Sequence, residues 1–168
     1  GMRTIHVDEQ YQHGYTYTCT EPMGAHFRED FTPDLAPAEM LKLGIFSGDY
    51  FNEPPKEFPK EWFEGVILSP GGAQNNLNFF GVRASQPLSE WQRRGWIYPE
   101  DPKGWFLWYC RYYMGRRMAE EDDRQIKRWR AIRRHIAQLQ NSCQPGDWGC
   151  RPRQRQAILH WAYDSRAI

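Results

Sequence analysis

Aromatic rings, rather than branched aliphatic side chains, supply most of the bulk from which this chain can build a core. Nine Phe, nine Tyr and eight Trp stand against nine Ile, nine Leu and three Val in 168 residues. Scarce aliphatics can signal disorder, but disordered chains also lack aromatics and carry a large net charge. Here the net charge is +1. The chain therefore folds around rings, and its length suits one domain with a single core. A membrane span is excluded by the longest uncharged run, Gly65 to Val82. It holds Pro70, Gly71, Gly72, Asn75, Asn76 and Asn78, which hydrocarbon does not accept.

The start, Met2 to Glu9, lacks the apolar stretch of a secretory signal, and Gly1 reads as a cleavage scar. A reducing cytoplasm is then the default compartment, with Cys19, Cys110, Cys143 and Cys150 mostly thiols.

The small net charge hides a division. Residues 1–109 carry 9 Lys and Arg against 15 Asp and Glu, whereas residues 110–168 carry 13 against 6. Two arrangements fit. Either the acidic part folds over the basic part and neutralises it, or the basic part presents a surface to an anionic partner.

Local patterns point to helices in the second half. Residues 2–26 are polar and aromatic, with one alternating stretch, Tyr15 to Thr20, that fits a short edge strand. Pro37, Glu39 and Gly44 mark the start, first turn and stop of a short helix. Ser47 to Pro59 and Ser69 to Asn78 read as loops, Lys60 to Leu68 as a short apolar segment, and Pro87 to Arg94 as another short helix. Asp101 with Pro102 forms an N-cap signal, and the helix beyond it, Gly104 to Met114, is apolar on nearly every side. Glu120 to Asp123 open a long helix whose stripe is Ile126, Trp129, Ile132, Ile136 and Leu139. Lys127, Arg130 and Arg134 lie roughly opposite that stripe. A last helix runs from Pro152 through Tyr163. The expected fold is mainly α: a single compact helical domain with a loop-rich N-terminal third and an aromatic core. Residues 1–30 form an extended segment ahead of the helical domain, 31–168.

Three strings carry a resemblance. They are Leu77 to Pro87 (LNFFGVRASQP), Gly104 to Arg117 (GWFLWYCRYYMGRR) and Cys150 to Ala157 (CRPRQRQA). Together they resemble a family of uncharacterised bacterial and fungal proteins, over about residues 31–166. The resemblance implies one self-contained domain and brings no activity, cofactor or ligand.

The leading functional expectation is a non-catalytic module that binds an anionic partner, nucleic acid foremost. Its candidate residues are Lys127, Arg130 and Arg134 on the long helix and Arg151, Arg153 and Arg155 at the last one. Arg suits phosphate because its planar fork binds bidentately, and Trp148 and Trp161 lie near enough in sequence to stack on bases. No helix-turn-helix, zinc-finger or RNP pattern is present. An enzyme centred on Cys110, His135 or His160 is the alternative, with Asp164 four residues past His160 to orient its ring. Cys143 and Cys150 are wider apart than paired zinc ligands usually are. The turn at Pro145-Gly146 equally allows a disulfide between them. A third reading is a protein-interaction domain, using loop aromatics Tyr50, Phe51, Phe58, Trp62 and Trp96. No cofactor is called for.

Overall fold

A computed structural model describes residues 2–84 and 98–168. The expected helix at Pro87 to Arg94 and the side chain of Trp96 lie outside the described residues. The chain opens with a β-hairpin, β1 (Arg3–Glu9) and β2 (Gln12–Cys19), followed by helix α1 (Pro37–Lys42). After a run of loops and short 3-10 turns come α2 (Trp105–Met114), α3 (Ala119–Ala131), α4 (Arg133–Ser142) and α5 (Pro152–Leu159).

The fold is thus mixed α/β rather than mainly α. Helices dominate, but about 40% of the described residues are helical and 10% lie in the antiparallel pair of strands. The expected short strand is the second half of that hairpin. In register, Ile5 faces Tyr17 and Val7 faces Tyr15, and a bulge falls between Val7 and Asp8. Val7, Tyr17 and Cys19 turn inward while His6, Thr16 and Thr18 turn to water, the period-2 alternation of a half-buried strand. Two inward aliphatics in β1 make too short a pattern to announce a strand by itself.

Helix α2 is the hub, and every residue in it except Tyr113 is buried. Beside it, Phe31 meets Trp105, Trp108, Tyr109, Tyr112 and Trp129 edge-on, at centroid distances of 4.9 to 6.4 Å. Rings in this arrangement set positive edges against negative faces, which adds about 0.5–1.5 kcal/mol per pair beyond burial. Their polar tips find partners: Trp108 Nε1 donates to Asp122 at 2.8 Å, and Tyr109 Oη to the Leu35 carbonyl at 2.6 Å. Gly115 ends α2 at φ 118°, and a Cβ there would fall 2.0 Å from the Glu21 carbonyl oxygen. No other residue fits that approach.

Several helix limits differ from expectation. Helix α2 starts at Trp105 with Gly104 as N-cap, so Asp101 does not cap it. The Asp101 carboxylate is instead held by two guanidinium groups. Arg111 reaches it through Nη1 at 2.9 Å, and Arg116 grips it through both terminal nitrogens at 2.7 and 2.6 Å. Arg111 also forks onto Glu57 at 2.7 and 3.1 Å, and the hydroxyls of Tyr17 and Tyr11 donate to the same carboxylate at 2.7 and 2.8 Å. Gln12 accepts from Arg111 Nη2 at 2.7 Å. All four charged side chains are 0–2% exposed. Burial opposes the Arg111 charge, but the bonds and field of Glu57 and Asp101 outweigh it and push its pKa further up. This cluster rivets the hairpin to α2.

The long helix breaks at Ile132 into α3 and α4, where Ile132 and His135 donate to carbonyls three residues back rather than four. Its acidic start is partly buried. Glu121 and Asp122 are buried, Asp122 accepting from both Trp108 and the Met118 backbone, and burial raises its pKa. The last helix stops at Leu159 rather than Tyr163, and Ala162 sits at φ 64°. The four cysteines are not all thiols. Cys143 and Cys150 form a disulfide, while Cys19 and Cys110 are free and buried. None of the described helices is long and apolar enough to cross a membrane.

Candidate anion-binding surface

Helices α4 and α5 lie side by side, joined by the loop that the Cys143–Cys150 disulfide closes. Gln154 on α5 ties them together. Its Nε2 donates to Gln138 Oε1 at 3.0 Å and lies 3.4 Å from the His135 carbonyl. Arg134 stands one turn before Gln138 on α4, so it flanks this seam. Arg151, at φ 54° as the N-cap of α5, donates along the same helix to Gln154 at 3.4 Å.

The six candidate residues divide three and three. Arg134, Arg151 and Arg153 are exposed, and none forms an ion pair among the described residues. Lys127 is exposed but pairs with Asp123 one turn back at 2.8 Å. Arg130 lies 3.5 Å from Asp30, which Arg28 also holds, at 2.8 Å. Such surface pairs are weak and screened by salt, yet each sets a carboxylate beside the cation.

Arg155 is the clear correction. It is 0% exposed, and its Nε and Nη1 donate to the carbonyls of Cys150, Ser165 and Ile168 at 2.9, 2.9 and 2.5 Å. Sequence spacing put it on the basic run, but α5 turns it inward to staple the disulfide loop to the C-terminal segment. It offers nothing to a ligand. Arg133, absent from the candidates, is exposed and lies over the Trp129 ring at 5.2 Å.

The Cys/His arrangement does not assemble. Cys110 is fully buried in α2, and burial pushes its thiol pKa well up, away from the nucleophilic thiolate. His135 is exposed on α4 beside Gln154. His160 is buried, its Nε2 accepting from Gln156 Nε2 at 2.9 Å, and burial lowers its pKa to about 3. The Gln156 amide is oriented by Phe80, whose backbone N–H donates to Oε1 at 3.1 Å. Asp164 engages Arg166 at 2.8 Å instead of His160. Among the described residues no group of three or more His, Cys, Asp and Glu is placed to hold a metal ion.

The loop aromatics offered for a protein partner are also spent: Tyr50, Phe51, Phe58 and Trp62 are buried in the core. A cavity of about 330 Å³ opens where the hairpin turn meets Asn52, Glu53 and Lys103. The Lys103 ammonium lies over the Tyr11 and Tyr50 rings at 5.9 and 5.2 Å, and burial lowers its pKa. The carboxylates of Glu9 and Glu53 line the same cavity. Comparison with protein-family models, curated proteins and solved structures finds no match for this chain.

Proposed function

We propose that this protein is a non-catalytic binding module that takes a polyanionic partner, nucleic acid foremost, on the face formed by α4 and α5. One observation carries the reading: Arg134, Arg151 and Arg153 stand in solvent without a carboxylate partner among the described residues, on two helices locked together by Gln154. Elsewhere in the molecule buried arginines are consumed by carboxylates or carbonyls. An exposed guanidinium without a carboxylate partner is suited to phosphate, which its fork meets bidentately.

Titration of a labelled oligonucleotide at 50 and 200 mM salt tests this. Three phosphate contacts predict a loss of roughly forty-fold in affinity between those conditions on a duplex and roughly twenty-fold on a single strand. The triple variant Arg134→Ala, Arg151→Ala, Arg153→Ala should abolish that salt dependence. Absence of salt-sensitive binding at micromolar protein removes the reading. The measurement is made with the Cys143–Cys150 bond intact and again after reduction, because a reducing cytoplasm, the compartment in this reading, opens it.

A further inference from the structure

Beside the basic face lies a patch of exposed rings. Trp148 is 46% and Phe79 36% exposed, and Phe80 is half-buried against them. Their centroids stand close: Phe79 to Trp148 at 4.9 Å, Phe79 to Phe80 at 5.0 Å, Phe80 to Trp148 at 6.2 Å. Two links tie the patch to the fold. Trp148 Nε1 donates to the Arg166 carbonyl at 3.0 Å, and the Cys143–Cys150 disulfide closes the loop that carries the indole. The Arg166 guanidinium lies 5.5 Å from the Phe79 ring centroid.

The rings adjoin the unpaired arginines through α5. The bond from Phe80 N–H to Gln156 places Phe80 against that helix, and Arg153 lies one turn before Gln156, exposed where Gln156 is buried. Along α5 Arg153 thus falls between the Phe80 contact at Gln156 and Arg151 at the N-cap, and Gln154 leads across to α4, which carries Arg134. Two carboxylates lie nearby. Asp164 is taken by Arg166, and Asp147 sits in the Trp148 loop.

We infer that Trp148 and Phe79 form a base-stacking platform, so that the partner is a single-stranded polynucleotide whose phosphates run along Arg153, Arg151 and Arg134. This deepens the anion-binding reading and rests on it. A single strand offers flat apolar faces and a charged backbone together, which is what rings rimmed by guanidinium groups match. A duplex keeps its base faces stacked inside and leaves the rings nothing to cover.

The test compares a 12-nucleotide oligo-dT, an oligo-rU, a duplex of equal length and an abasic 12-mer with the same phosphates, by fluorescence anisotropy at low salt. Wild type should prefer the single strands. Trp148→Ala should weaken dT and rU binding roughly five- to a hundred-fold, the range of one lost stacking contact, and leave abasic and duplex binding unchanged. Trp148→Phe should restore most of the loss, which separates stacking from damage to the fold. Whether dT or rU binds better identifies the natural strand and supports stacking either way. Equal loss on the abasic strand overturns the inference, as does a preference for duplex. So does a Trp148→Ala variant that binds single strands normally but changes the sedimentation coefficient, which would assign the patch to a protein contact. If no arm binds in a salt-sensitive way, the anion-binding reading itself has failed.

Discussion

Arginine does opposite work at the two ends of this molecule. Between the hairpin and α2, Arg111 and Arg116 are buried against Glu57 and Asp101, two cations facing two anions. On α4 and α5, Arg134, Arg151 and Arg153 face water with no such partner among the described residues. The front group is fixed by ion pairs, and the rear loop by a disulfide and by Arg155 capping backbone carbonyls. Charge counted along a sequence does not separate these roles. The distinction is whether folding brings a carboxylate within reach before solvent does.

The largest effect expected from breaking the contrast is at the front. Arg111→Met leaves Glu57 buried without its cation and should cost about 3–5 kcal/mol, read as a lower urea midpoint. Arg111→Lys should recover only part, because an ammonium does not span both Glu57 oxygens as the fork does. A variant within 1 kcal/mol of wild type would mean that water enters the cluster and that front and rear are less different than their geometry. Opening the rear clip comes next. The disulfide closes a short loop, so Cys143→Ser with Cys150→Ser should cost about 2 kcal/mol, visible as a lower melting temperature that reductant no longer changes. The smallest effect on stability belongs to the exposed arginines. Replacing Arg134, Arg151 and Arg153 by Ala should leave the midpoint within about 0.5 kcal/mol while binding is lost. A large destabilisation there would place these residues with the front group, as structural parts.

Much of the fold is legible in the chain. Pro37 and Gly44 bracket α1, the stretch 104–114, apolar on nearly every side, becomes the buried α2, and Ile126, Trp129 and Leu139 are fully buried as their spacing requires. The misses share a cause. Asp101 has the local signature of a cap, Arg155 that of a surface cation, and Tyr50 and Trp62 that of exposed loop rings. Each was claimed by a partner distant in sequence: Asp101 by Arg116, Arg155 by Ser165 and Ile168, the rings by the core around α2. Of the six basic candidates, three keep an open charge. The ring patch beside them was half visible, since Trp148 stood out as a stacking residue and Phe79 did not.

The sequence by itself determined that rings would build the core, that α2 would be its buried axis, and that positive charge would gather on the last helices. Those follow from residue type and periodicity, which act over one or two turns. Only the tertiary structure decided which arginines are neutralised. Ion pairing depends on the distance between side chains that the chain keeps tens of residues apart, such as Glu57 and Arg111, until packing joins them.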